Sequence, residues 1–223
     1  MKNLEQKLGY KFNNIKLLEL AMSHTSYANE IKGKESNERI EFLGDAVLEL
    51  IASEYIYATY PKLPEGEMTK TRAYAVCEDS LAIVANKYSF SDFLLVGKCE
   101  AMQNGKYRNS ILADAVEATI GAIFLDGGFE NAKRFILPNI IPQIEDYIKH
   151  GNKDYKTQLQ EKLQVNGEVK IEYRLIGEKG PDHAKIFDVE VYCDDILLGA
   201  GEGKSKKDAE MNAAKVALEK YNK

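Results

Sequence analysis

Up to about residue 148, apolar residues recur mainly at helical spacing; beyond it, alternation takes over. Asn13 and Asn14 precede a periodic run from Ile15 to Met22. Asn37 stands where it would cap a long helix from Glu38 to Tyr60, which Pro61 ends. The pattern predicts one further helix from Glu65 to Lys87 and another from Asn109 to Leu125, stopped by Gly127-Gly128. Two shorter helices flank Pro138 and finish near Ile148. Residues 1–148 therefore read as an all-α domain, and the polar, glycine-containing stretch 149–153 reads as a linker.

The second domain, 154–223, has a different rhythm. Asp154 to Gln164 is helical in pattern. Val169, Ile171, Tyr173 and Leu175 alternate with mostly polar neighbours, as in a strand with one buried face. Lys185 to Cys193 alternates again, Ile196 to Ala200 makes a third strand, and Ser205 to Tyr221 is an alanine-rich helix. The fold class is thus multi-domain: an all-α domain followed by an α-β-β-β-α domain.

Composition changes this picture little. The 223 residues are 44% hydrophobic and 29% charged, which matches an ordinary soluble globular protein. No run approaches the roughly 18 apolar residues of a membrane span. The polar start MKNLEQKLGYKFNN lacks an apolar signal core, so a cytoplasmic location is expected. Cys77, Cys99 and Cys193 are odd in number and far apart; they are expected to be buried free thiols rather than a disulfide or zinc framework. His24, His150 and His183 are equally scattered. The net charge of −5 argues, taken alone, against a nucleic-acid binder.

The distribution of charge matters more. Glu38, Glu41 and Asp45 sit at i, i+3 and i+7, within a sector of about 60° on a helix. Ile40, Leu43, Val47, Leu50 and Ile51 fall in another sector, expected to face the core. A solvated acidic face is the ordinary explanation, yet no Lys or Arg occurs from Ile40 to Pro61 to pair with these acids. The anomaly repeats at Asp114 and Glu117, at i and i+3, with no basic residue between Asn109 and Ala132. Ala113, Ala115, Ala118, Gly121 and Ala122 would let two helices approach closely. Glu41, Asp45, Asp114 and Glu117 would then meet, and like charges so close need a cation among them. All-oxygen ligands select a hard ion such as Mg²⁺ or Mn²⁺.

These residues carry a family resemblance. NERIEFLGDAVLEL (Asn37 to Leu50) resembles the signature of the ribonuclease III family, and ILADAVEATIGAIFLDGG (Ile111 to Gly128) resembles its second acidic motif. MSHTSY (Met22 to Tyr27) and LPEGEMTKTRA (Leu63 to Ala73) follow the same family order. The resemblance implies a double-strand-specific endoribonuclease with Glu41, Asp45, Asp114 and Glu117 as metal ligands, Asp45 and Glu117 being the most directly catalytic. It places Glu38 and Glu65 near the cleavage site and has Phe42 plug into a second subunit of a homodimer. It also implies products with 5′-phosphate and 3′-hydroxyl ends and short 3′ overhangs, and processing of ribosomal RNA precursors and other structured transcripts. Metal ions held by carboxylates would supply the activated water and charge neutralisation without a histidine or covalent nucleophile. For His24, in a loop after an apolar helix, a structural hydrogen bond is favoured over a general-base role.

The second domain resembles a double-stranded-RNA-binding domain. Thr157, Gln160, Glu161 and Gln164 share one helix face and could reach 2′-hydroxyls in a shallow minor groove. Pro181, Asp182 and His183 lie in a loop between the first two strands that would enter the next minor groove. Lys204, Lys206 and Lys207 gather at a helix N-terminus, where the dipole disfavours cations unless an anion is present. Two rival readings remain open at this point: a catalytically silent regulator that binds double-stranded RNA, and a helical phosphohydrolase for small nucleotides.

Overall fold

The computed structural model describes residues 1–150, 155–165, 169–180 and 185–221. The chain divides into two compact units, Met1–Lys149 and His150–Lys223. The first is helical: α1 (Lys2–Leu8), α2 (Ile15–Ala21), α3 (Thr25–Glu30), α4 (Glu38–Thr59), α5 (Glu65–Ala75), α6 (Glu78–Lys87), α7 (Lys98–Met102) and α8 (Asn109–His150). Leu18, Met22, Leu48, Ile51, Leu81, Phe90, Leu112, Ile120 and Ile123 fill its core. A single parallel bridge, Ser23 to Leu95, ties the segment after α2 to the one before α7.

The local sequence explains where several helices begin and end. Asn14 caps α2 by accepting the Lys16 N–H at 3.2 Å. Asn37 precedes α4 as expected, but it is not a side-chain cap. Its backbone is helical and its buried amide donates instead to the Ala21 carbonyl, joining the end of α2 to the start of α4. The single helix expected over Glu65 to Lys87 is two helices. The chain turns extended at Cys77, the Ser80 hydroxyl takes up the Tyr74 carbonyl, and Glu78 and Asp79 open a new first turn, where the helix dipole favours acids.

The helical run from Asn109 breaks at Gly128 (φ 77°, ψ −176°), then continues through Pro138 and Pro142 to His150. The expected interruption at Pro138 does not occur. Both prolines are exposed and one turn apart, on the water-facing side of the helix. Two other expectations are corrected. Leu50 is 58% exposed rather than in the core, and Cys77 and Cys99 are exposed thiols, with only Cys193 buried.

The second unit contains α9 (Tyr155–Gln164), β1 (Ile171–Lys179), β2 (Ile186–Cys193), β3 (Ile196–Gly203) and α10 (Lys206–Tyr221). The three strands form an antiparallel sheet in the order β1-β2-β3, with Tyr173 opposite Val191 and Val189 opposite Gly201. One sheet face and the two helices enclose Leu159, Val189, Val191 and a stripe formed by Ala209, Ala213 and Ala217. The third strand runs three residues beyond its expected end at Ala200. Gly199, Gly201 and Gly203 lie directly under α10; a Cβ on Gly201 would stand 2.2 Å from the Ala213 nitrogen. Glycines that weaken a strand in isolation here admit the helix backbone. The linker residues 151–153, and Asp154, the expected first residue of α9, lie outside the described residues.

Candidate metal centre and nucleic-acid interface

Helices α4 and α8 cross at two glycines. A Cβ on Gly44 would lie 1.8 Å from the Glu117 carbonyl oxygen, and one on Gly121 would lie 2.2 Å from the Ile40 carbonyl oxygen. No side chain fits at either point, so the two backbones are in direct contact. The alanines read from the sequence pack around this crossing: Ala113, Ala115, Ala118 and Ala122 are all buried.

The crossing brings Glu41, Asp45, Asp114 and Glu117 within mutual electrostatic reach. Burial, then the charges of Asp45, Glu41, Asp114 and Glu49, push the Glu117 carboxyl up to about 8. Burial, then Asp114, Glu38 and Asp45, push Glu41 up to about 7. Asp114 is raised by burial, with His24 opposing the rise. Among the described residues no three His, Cys, Asp or Glu side chains close to the spacing of a coordinated ion. Mutual repulsion and burial together hold the Glu41 and Glu117 carboxyls well above the ordinary carboxylate range. The donor set still fits a hard divalent cation: it is all oxygen, with Glu41, Asp114 and Glu117 half-buried and Asp45 exposed, and carries a charge excess that only protons or a cation can relieve.

Glu38 is exposed, accepts the Ser36 hydroxyl at 2.6 Å and borders this cluster. Glu65 does not join it. It opens α5, accepts the Thr69 hydroxyl at 3.1 Å and lines a separate groove of about 220 Å³ with Ser53, Tyr57, Met68 and Arg72. Glu49, one turn beyond Asp45, was not singled out from the sequence although it also lacks a basic neighbour on α4. Gly44 was missed too; a glycine in mid-helix, costing about 1 kcal/mol against alanine, was the available signal. His24 makes the expected structural hydrogen bond, its Nδ1 accepting the Ser26 N–H at 3.2 Å as the cap of α3.

Phe42 is 78% exposed, and with Leu50 and Tyr57 (75% exposed) it lines the outward side of α4. Phe42 in particular is an exposed aromatic rather than part of the core of its own unit.

In the second unit Thr157, Gln160, Glu161 and Gln164 are all exposed on α9, opposite the buried Leu159. Lys204, Lys206 and Lys207 are exposed at the start of α10. Ser205 caps that helix by accepting the Asp208 N–H at 3.1 Å, and its hydroxyl donates to the Asp208 carboxylate at 2.8 Å. The acid in the first turn, Asp208, offsets part of the dipole penalty of the lysines. Pro181, Asp182 and His183 lie outside the described residues. Among those described, no helix is long and apolar enough to cross a membrane.

Comparison with known proteins agrees with this division. Residues 14–144 match the model of the ribonuclease-III-like family, and residues 155–221 match that of the double-stranded RNA binding motif. Ribonuclease 3 of Streptococcus gordonii is 49% identical over 228 residues, covering 100% of this chain and 98% of that protein. Ribonuclease 3 of Enterococcus faecalis is 49% identical over 217 residues, covering 96% and 94%. The solved nuclease domain of the Campylobacter jejuni ribonuclease III superposes with a TM-score of 0.60 at 44% identity, covering 64% of this chain and 96% of that one. That structure was described for flexibility in a region involved in dimer formation. The acidic helix crossing, the α-β-β-β-α unit and these relatives together place the chain in the ribonuclease III family of double-stranded-RNA-specific endoribonucleases, which are metal-dependent.

Proposed function

We propose that Glu41, Asp45, Asp114 and Glu117 hold Mg²⁺, with Mn²⁺ as a substitute, and that this site hydrolyses phosphodiester bonds in duplex RNA to leave 5′-phosphate and 3′-hydroxyl ends with short 3′ overhangs. The observation that supports it most is the pair of carboxyls, on Glu41 and Glu117, raised to about 7 and about 8 by burial and by one another. Such a cluster destabilises the fold unless a cation relieves it. When bound, the ion neutralises charge at the phosphoryl oxygens and lowers the pKa of a coordinated water. The residues supply the rest. The glycine crossing fixes the separation of the two acid pairs, and Asp45 and Glu117, on facing helices, flank the position of the scissile phosphate. No histidine or covalent nucleophile is required.

The second unit grips the duplex. Lys204, Lys206 and Lys207 meet phosphates, the polar face of α9 (Thr157, Gln160, Glu161, Gln164) meets one minor groove, and Pro181 to His183 meet the next. These contacts read A-form shape rather than sequence. A second copy of the chain completes the enzyme. Phe42 on one α4 inserts into the groove beside Ser53, Tyr57 and Met68 on the other, and the partner's Glu65 approaches the cleavage site from there. Processing of ribosomal precursors and other structured transcripts in the cytoplasm fits this specificity.

The test is incubation of long duplex RNA with the full chain in Mg²⁺ and in chelator, read on a denaturing gel. Short fragments with 5′-phosphates should appear only with the metal. Intact duplex in Mg²⁺ would sink the proposal.

A further inference from the structure

On the proposed reading, two faces of the second unit meet the duplex, and they stand on different elements. The polar stripe of Thr157, Gln160, Glu161 and Gln164 is on α9, whereas Lys206 and Lys207 open α10. An A-form duplex presents its minor grooves and phosphates at fixed spacing, so both faces serve one duplex only if their separation is fixed too. Apolar packing alone fixes it loosely. Helix α9 fully buries one residue, Leu159, and α10 buries four alanines and Leu218. Short alanine side chains give a neighbouring helix few ridges to lock into.

Polar contacts cross between the helices. Lys156, next to Thr157 in the chain and one turn before Gln160, donates from Nζ to Glu210 Oε2 at 2.6 Å. Glu210 follows Lys206 by one turn of α10. The same ammonium stands 4.3 Å from the centroid of the Tyr173 ring on β1, so one side chain joins α9, β1 and α10. The two partners are half-buried, with side-chain exposures of 36% and 30%. Weaker contacts between the same helices flank the pair: Lys215 Nζ lies 5.7 Å from the Tyr155 ring centroid, and Lys162 Nζ lies 6.0 Å from that of Tyr221.

We propose that the Lys156–Glu210 pair is a positioning device for duplex recognition, holding the polar stripe of α9 at the distance from the α10 lysines that A-form RNA requires. This rests on the reading of those two faces as the RNA-contacting surface. Neither partner touches RNA in this role. Without the pair the helices sample other spacings, and apparent affinity falls with the fraction of molecules that keep the competent one. A partly exposed ion pair limits the effect to about fivefold.

The test is a double-substitution cycle on the full chain, in chelator and well below the melting temperature. It compares binding of a duplex of about 16 base pairs, the span of one such domain, with binding of a single strand of the same length. Lys156→Met removes the charge and keeps a stem over Tyr173, Glu210→Gln keeps the shape of the acid, and the double variant has the net charge of wild type. In all three the ratio of duplex to single-strand affinity should fall about threefold to fivefold, the double variant no further than either single one. A loss of general stability would not change that ratio. Lys156→Arg should restore it, and the salt slope of duplex binding should stay at the wild-type value throughout.

Glu210→Gln decides by sign. Removing an acid beside a polyanion tightens binding if charge alone matters, whereas the positioning role makes binding weaker. Tighter duplex binding by Glu210→Gln, losses that add in the double variant, or a lower salt slope for Lys156→Met, which marks a direct phosphate contact, overturns the proposal. Should Lys156→Met fail to fold, Glu210→Gln and Lys156→Arg carry the test. The underlying reading has its own control: if reversing Lys206 and Lys207 to Glu leaves the salt slope unaltered, the assignment of the RNA-contacting faces fails, whatever the cycle shows.

Discussion

Gly121→Ala tests whether the helix crossing sets the geometry of the acidic site. The added methyl would stand 2.2 Å from the Ile40 carbonyl oxygen, 3.1 Å from Ile40 Cγ1 and 3.2 Å from the Gly44 nitrogen, where ordinary contact begins at 3.4 Å. Two of the three are backbone atoms, which cannot swing aside as a side-chain end could. Helices α4 and α8 must therefore part by about 1 Å. Overpacking of this kind costs about 1–3 kcal/mol. Alanine in place of glycine returns about 1 kcal/mol through helix propensity. The net loss should not exceed about 2 kcal/mol, a fall in melting temperature of roughly 4–8 °C for a chain of this size.

Catalysis should suffer more, because Glu41 and Asp45 ride on one helix and Asp114 and Glu117 on the other. A misplacement of about 1 Å between reacting groups costs on the order of 100-fold in rate. Single-turnover cleavage of a duplex at saturating Mg²⁺, well below the melting temperature, reads this loss. Duplex binding in chelator serves as the control and should not change. A variant that cleaves within about threefold of wild type while showing the expected fall in stability would refute the idea that the crossing holds the site together.

Other perturbations probe the remaining parts. Glu117→Gln should abolish cleavage and leave duplex binding nearly intact; equal loss of both would contradict its place among the ligands. The same carboxyl predicts a pH effect. Because Glu117 is held up to about 8 and Glu41 to about 7 against an ordinary 4.5, the folded chain keeps protons that the unfolded chain has released. Metal-free stability should therefore fall as pH rises through that window, a divalent cation should restore it more at the upper end, and Glu117→Gln should flatten the slope; melting curves in chelator that ignore pH would count against the cluster. Reversing Lys206 and Lys207 to Glu should weaken duplex binding and lower the salt slope by about 1 for each phosphate no longer neutralised, whereas an unaltered slope would remove these lysines from the interface. Asp126 accepts the Tyr10 hydroxyl at 2.8 Å and the Asn13 and Asn14 N–H groups at 2.9 and 2.8 Å. Asp126→Ala should cost about 2 kcal/mol. Hydrogen bonds from Asn13, Asn14 and Tyr10 outweigh burial and hold its carboxyl below the ordinary range, so the gap to wild type should close as pH falls through that lowered value; a gap constant down to strong acid would exclude the carboxylate as its source.

The parts legible in the sequence were those fixed by local rules. Spacing alone put Glu41 and Asp45 on one helix and Asp114 and Glu117 on another, and missing basic partners marked both as unusual. The element order of the second unit followed from a change of period. What escaped notice depended on tertiary surroundings. Gly199, Gly201 and Gly203 argue against a strand until a helix backbone lies on them. Pro138 and Pro142 end a helix unless their side faces water, and Leu50 counts as core until the helix face is known. The break at Cys77 relies on a carbonyl satisfied from Ser80, a contact that periodicity does not encode.

The two functional regions carry opposite local costs, and together these define how they must cooperate. Glycines in mid-helix and uncompensated acids each weaken α4 and α8, and a cation at their crossing, as proposed, would offset that cost. The same acids repel a polyanion, and residues 1–150 as a whole carry 17 basic residues against 21 acidic ones. On the proposed reading, the attraction that captures RNA comes from the lysines at the start of α10, where Ser205 and Asp208 offset the dipole that three cations oppose. Capture should then be independent of metal, since nothing in that cluster needs an ion. Admission of the phosphate to the acidic crossing should not be, because its carboxylates must first be neutralised. A cation at the proposed site would thus have two duties, and only one of them is chemical: it would also lift the electrostatic barrier between a bound duplex and the four proposed ligands.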